Sequence, residues 1–167
     1  MKILEKEFLE IISNYQGILY KVNLIYFRNE AERKDNFQEI IYQLWKSYPK
    51  LQNKNSIGSW IYAVSINTSI SRIKRNARIE YHDSLPEPVD TTDVVKQLTI
   101  DEDIHFLLEA ISRLNEIDRS IMFLYLEEKS YDEIAQILGI TRSNVGVKIK
   151  RAKDKLEQNL KHMNYEK

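Results

Sequence analysis

The sequence predicts an all-α fold of two small helical domains, and three observations carry that expectation. Apolar residues recur at spacings of three and four along most of the chain, without sustained strand alternation. Pro86 and Pro88 fall together in HDSLPEPVDTTD, which has few apolar residues and no helical period, and so reads as a flexible acidic linker. Beyond it, SYDEIAQILGITRSNVGVKIKRAKDKL has the capping residues, turn glycine and apolar stripes of a helix-turn-helix. The expected division is a domain over 1–80, a linker over 81–104 and a domain over 105–167.

Composition narrows the classes further. The chain has 167 residues, room for one ordinary domain or two small ones, and no cysteine, which excludes disulfides, cysteine zinc sites and thiol catalysis. There is no long uncharged apolar run, and MKILEKEFLE is too acidic for a signal peptide, so a cytoplasmic protein without membrane insertion is expected. Lysine plus arginine balance aspartate plus glutamate at 25 each, but unevenly. Residues 1–80 carry a net +5, residues 81–112 a net −7 and residues 113–167 a net +2, so an acidic middle separates two basic ends.

The first helical pattern runs from Leu4 to about Phe27, with a break expected near Gly17. In KDNFQEIIYQLWKSYP, residues Phe37, Ile40, Ile41, Leu44, Trp45 and Tyr48 form one stripe, and Pro49 ends the helix. Asp35, Gln38, Glu39, Tyr42 and Lys46 line the opposite face. That strip is either a solvated surface or the seat of a partner.

A third helix is expected from about Ser56 to Arg78, deeply buried at first because Ile57, Trp60, Ile61 and Val64 oppose Tyr62 and Ile66. Its second half keeps Ile66, Ile70, Ile73 and Ala77 on one stripe. Trp60, Asn67, Ser71, Lys74, Arg75 and Arg78 gather on the other side, with Arg72 at the flank. Four bases and no acid fall between Arg72 and Arg78, and a basic strip headed by an aromatic suits single-stranded nucleic acid. Trp60 fits a core position equally well.

In the last segment Ser130 and Glu133 have the spacing of a capping box, and Ile134, Ala135 and Leu138 form the apolar side of a short helix. Gly139 can take the left-handed turn, Ile140 fills the corner, and Thr141 is placed to cap a second helix from about Arg142 to beyond Leu156. Val145, Ile149, Ala152, Leu156 and Leu160 form its packing stripe. Ser143, Asn144, Val147, Lys148, Arg151 and Lys155 lie opposite. Six bases and one acid between Arg142 and Lys155 suit a phosphate backbone. Gly146, inside that helix, serves either close approach to DNA or packing.

In this order the segments resemble the extracytoplasmic-function (ECF) sigma factors of bacterial RNA polymerase, over nearly the whole chain. DNFQEIIYQLW is similar to the family's polymerase-binding helix, SIGSWIYAVSINTSISRIKR to its promoter-melting helix, and LNEIDRSIMFLYLEEKSYDEIAQILGITRSNVGVKIKRAKDKL to its C-terminal domain. The resemblance implies core RNA polymerase and promoter DNA as partners, with polymerase docking on Asp35, Gln38, Glu39 and Tyr42. It implies minus-ten contacts from Lys54, Asn55 and Ser56 around a flipped base, then Trp60, Asn67, Arg72, Lys74 and Arg75. It implies minus-thirty-five contacts from Thr141, Arg142, Ser143, Asn144, Val147, Lys148 and Arg151. Asn36 departs from the family in replacing an apolar residue, and Ile57 to Ser59 replace a more basic run. The family also leaves room for an anti-sigma protein.

The competing reading is a free-standing helix-turn-helix regulator whose N-terminal domain senses a ligand or dimerises. The Arg72 to Arg78 strip and the Asp35 to Tyr42 face argue against it. An enzyme is the weakest reading. His82, His105 and His162 have no metal spacing, there is no phosphate-cradling glycine loop, and no catalytic residue, metal or cofactor is expected.

Overall fold

The computed structural model describes residues 2–82 and 102–165, and all the regular structure among them is helical. The chain falls into two compact units, Met1–Val89 and Asp90–Lys167.

The first unit begins with α1 (Lys2–Asn14) and α2 (Gln16–Tyr26). The break between them falls at Tyr15, two residues before the expected Gly17. No strain at glycine causes it, since a Cβ at Gly17 would meet nothing within 4 Å. Tyr15 instead lies close to the start of the fourth helix, its Cε1 3.7 Å from where a Cβ on Gly58 would sit.

Next comes α3 (Glu30–Ser47), which starts four residues before the KDNFQEIIYQLWKSYP segment whose pattern predicts it. Asn29 caps it, its side chain accepting from the amides of Ala31 and Glu32 at 2.8 and 3.3 Å, and Glu30 and Glu32 in the first turn suit the positive helix end. A 3-10 turn over Tyr48–Lys50 holds Pro49, and a second over Lys54–Ser56 leads into α4 (Ile57–His82).

Helices α2, α3 and α4 pack against one another. Their core is Leu19, Val22, Ile40, Leu44, Ile61 and Ile66, all nearly or wholly excluded from solvent. As expected, α4 is most buried in its first half. An aromatic row joins α1 to this core: the ring of Phe8 lies 5.0 Å from that of Trp45 and 5.6 Å from that of Tyr48, which lies 6.1 Å from that of Trp60.

The second unit contains α5 (Glu102–Ser112), α6 (Glu116–Leu126), α7 (Tyr131–Leu138) and α8 (Arg142–Tyr165). Helices α5, α6 and α7 all pack on α8. Val145, Ile149, Ala152 and Leu156 are buried there as the stripe requires, and Leu160 is half-buried. On α7 the buried pair is Ile134 and Ile137, while Ala135 and Leu138 are only half-buried. The segment assigned to the linker is helical at both ends, because α4 reaches His82 and helix resumes at Glu102. Pro86, Pro88 and the rest of that segment lie outside the described residues.

Candidate nucleic-acid interface

In the first unit two strips meet along the α3–α4 junction. Asp35, Gln38 and Tyr42 of α3 are exposed, and Tyr42 presents 56% of its surface although it is a large aromatic. Glu39 is half-buried and accepts from the Gln43 amide at 3.0 Å. The apolar side of α3 is spent on the core, so this polar face is the one left to meet a partner.

On α4, Asn67, Ser71, Lys74, Arg75 and Arg78 are exposed along one side. Arg72 is not part of that row. Its side chain is 19% exposed and lies against α3, with Nη2 3.5 Å from Asp35 Oδ2. A residue expected to touch DNA and one expected to touch polymerase are thus paired with each other. Trp60 is half-buried at the end of the aromatic row, which favours its packing role.

The two strips border an open cleft of about 380 Å³, lined by Glu39, Gln43 and Ser47 from α3 and by Val64, Asn67, Thr68, Ser71 and Arg75 from α4. Gln43, Ser47 and Thr68 are not singled out by the sequence pattern. Gln43 stands four positions after Glu39, so helical spacing could have placed it on the same face.

The loop before α4 is ordered by its own side chains. Asn53 accepts from the amide of Asn55 at 3.0 Å, and Lys54 reaches Glu7 on α1 at 3.6 Å. Glu7 also lies 3.3 Å from the hydroxyl of Tyr48, whose pKa is raised chiefly by burial. Lys54 and Asn55 remain exposed and Ser56 is half-buried.

In the second unit the helix-turn-helix geometry follows from its caps. Ser130 Oγ accepts from the Glu133 amide at 3.1 Å, and the Glu133 carboxylate accepts from the Ser130 amide at 2.8 Å, completing the capping box. That backbone bond holds the Glu133 pKa below its ordinary value. Gly139 closes α7 at φ 67°, where a side chain would be strained, and Thr141 Oγ1 accepts from the Asn144 amide at 3.2 Å to start α8.

The outward face of α8 exposes Ser143, Asn144, Val147 and Arg151, with Lys148 half-buried. Val147 is 49% exposed, an apolar side chain available to a thymine methyl. Arg142 lies 3.6 Å from Asp132 of α7. Lys155 departs from the expected reading face: its Nζ is 2.7 Å from Asp118 Oδ2 on α6. Gly146 faces α7, where an added Cβ would lie 3.6 Å from the Tyr131 ring. That is an ordinary van der Waals distance, so packing against α7 does not by itself require glycine at 146.

Comparison with known proteins agrees with this arrangement on both units. Residues 11–79 match the model for sigma-70 region 2, and residues 107–156 match the model for sigma-70 region 4, together well over half of the chain. The chain belongs to the sigma-70 family, in its ECF group. It is an RNA polymerase sigma factor, which binds core polymerase and directs promoter recognition and transcription initiation.

Full-length relatives agree. Over 143 residues the sigma factor is 26% identical to the RNA polymerase sigma factor SigV of Bacillus subtilis, covering 84% of this chain and 83% of that one. It is 24% identical to the ECF RNA polymerase sigma factor SigW of the same organism, covering 93% and 90%. Among solved structures, it shares its fold with the sigma factor RpoE from Bartonella quintana, solved in complex with the anti-sigma factor NepR, at a TM-score of 0.74 and 17% identity over 96% of this chain and 98% of that one. It shares it also with CnrH, solved with the cytosolic domain of CnrY, at a TM-score of 0.66 and 17% identity over 95% and 90%. Sigma factors are not enzymes in general. Among the described residues no helix is long and apolar enough to cross a membrane, and no cluster of His, Asp and Glu could hold a metal ion.

Proposed function

We propose that this sigma factor divides its work among three surfaces, within two domains, one ending with α4 and one beginning with α5, and the connector between them. The strip of Asp35, Gln38, Glu39 and Tyr42 docks on core polymerase. Lys54, Asn55 and Ser56, with Asn67, Lys74 and Arg75 along α4, take the opened non-template strand at the minus-ten element. Thr141, Arg142, Ser143, Asn144, Val147, Lys148 and Arg151 read the minus-thirty-five element in the major groove. Arg72 and Trp60 contribute by holding α4 against α3 and the aromatic row.

The observation that carries this reading is the adjacency of the α3 polar strip and the α4 basic strip across one cleft. A sensing or dimerising domain has no need of that pairing. The protein performs no covalent chemistry of its own, uses no metal or cofactor, and acts in the cytoplasm beside polymerase. An anti-sigma protein, such as the one bound to the Bartonella quintana relative, would act by covering one of these faces.

A neutral chain lacks the strong phosphate attraction that drives free duplex binding, so polymerase must supply the rest of the affinity. The test is to purify the chain with core RNA polymerase and map transcript starts. Co-elution, with discrete starts preceded by two recurring elements, is expected. Tight sequence-specific binding of duplex by the free chain, with no start sites in the presence of polymerase, would overturn the proposal.

A further inference from the structure

The centre of the first unit is not purely apolar. Asn36 of α3 is wholly buried, and its Nδ2 donates two hydrogen bonds at once: to Asn23 Oδ1 on α2 at 2.9 Å and to Ser69 Oγ on α4 at 2.9 Å. Asn23 in turn donates to the Leu19 carbonyl at 2.8 Å, and Ser69 to the Ser65 carbonyl at 2.8 Å. One amide thus joins three helices, at a position where an apolar side chain would fill the same space.

A polar group placed there carries a cost. Asn36 Oδ1, Ser65 Oγ and Arg72 Nε are all buried without a protein partner, and each such atom forfeits hydration. Buried polar residues of this kind are best attested as devices that select one register among several similar packings. The location fits such a use. Asn36 adjoins Asp35 of the docking strip, and Ser69 lies one turn from both Arg72 and Ser65, on the helix that carries Asn67, Lys74 and Arg75.

We infer that Asn36, with Asn23 and Ser69, is a positioning device that fixes the register of α4 on α3, and so sets the strand-binding strip at the correct offset from the polymerase-docking strip. The Asp35–Arg72 ion pair, one turn further along α4, reinforces the same register at the surface. The seam's value lies in promoter opening, while its contribution to stability is small or negative. This rests on the reading of α3 and α4 given under Proposed function.

The experiment compares the wild-type chain with the variant N23L/N36L/S69A, which replaces the whole seam by apolar groups, and with S69A, which removes only the arm to α4. Thermal melting, affinity for core polymerase, permanganate reactivity of a duplex promoter and initiation from a pre-opened promoter are measured for each. The triple variant is expected to melt no lower than wild type and to bind polymerase comparably. It should initiate normally on the pre-opened template and open the duplex about five- to tenfold less, the low end of coupling between distinct sites. S69A should lose opening in the same direction and to a smaller extent.

Wild-type opening by the triple variant overturns the inference, as does a melting point well below wild type, which would make the seam a stability element. If the wild-type chain itself fails to initiate with polymerase, the functional reading fails and not the seam alone.

Discussion

Lys155 Nζ lies 2.7 Å from Oδ2 of Asp118, a carboxylate whose side chain is only 9% exposed. Asp118 also sits in the first turn of α6, where its charge favours the helix end, so one carboxylate both supports its own helix and holds α8 through Lys155. A lysine that helical projection places among groove-reading residues is thereby committed to the fold.

Lys155→Ala should therefore act on stability and not on sequence reading. Removing the cation leaves a nearly buried carboxylate unpaired, a loss reduced here because Lys155 is itself half exposed; about 1–2 kcal/mol is expected. Chemical denaturation should show that loss. The base preference of the variant holoenzyme across a randomised minus-thirty-five element should remain that of wild type.

Arg151→Ala should show the opposite pattern. Arg151 is exposed on the same helix and has no structural task comparable to that of Lys155. A bidentate guanine contact is worth about 1–3 kcal/mol of discrimination, and the loss should fall on one base pair of the element. A holoenzyme selection that returns the wild-type profile would remove Arg151 from the reading set.

The contrast between these two residues shows what the sequence discloses. Caps, the turn glycine and the stripe of α8 are local signals, and Ser130, Glu133, Gly139 and Thr141 sit as their spacing demands. Lys155 could not be assigned that way, because its partner lies 37 positions earlier. The same holds for Asn36, which in sequence is only an unexpected polar residue on an apolar stripe. Its partners Asn23 and Ser69 come from two other helices, and only packing brings them together. Arg72 lay at the edge of the basic strip by projection, and burial against α3 moved it off that strip.

The two turns flanking α7 make a matched pair for testing backbone strain. At the end of α6, Glu128 adopts φ 59° while its amide reaches the Tyr125 carbonyl at 3.0 Å and the Lys129 amide reaches that of Leu124 at 3.1 Å. That is a Schellman closure with glutamate where glycine is usual. Glu128→Gly should stabilise the second unit by about 0.5–1 kcal/mol, the relieved steric cost less the greater entropy of unfolded glycine. Gly139→Ala, at φ 67°, should destabilise it by about 1 kcal/mol. Equal and same-signed changes in thermal melting would contradict this account of both turns.

The capping box gives α7 a pH dependence of known sign. The Glu133 pKa is held below its ordinary 4.5, first by the Ser130 backbone bond. A depressed folded-state pKa means stability that is present above the unfolded value and lost as pH falls through the folded value. Stability measured for wild type and Glu133→Ala should therefore differ most at neutral pH and converge as pH drops below about 4.5. A constant difference down to strongly acid solution would show that the carboxylate charge is not what the cap uses.

Gly146→Ala separates packing from DNA approach at the one interior glycine of α8. A glycine inside a helix costs about 0.8–1.0 kcal/mol relative to alanine. The added methyl would rest 3.6 Å from the Tyr131 ring, an ordinary van der Waals distance, so nothing in the protein opposes the gain. The second unit should therefore melt higher by the few degrees that about 1 kcal/mol produces in a domain of this size. Promoter affinity of the holoenzyme should stay unchanged, because residue 146 faces α7 while Asn144, Val147 and Arg151 face outward. A stabilised variant with weakened minus-thirty-five binding would instead mean that the helix backbone approaches DNA closely at this point.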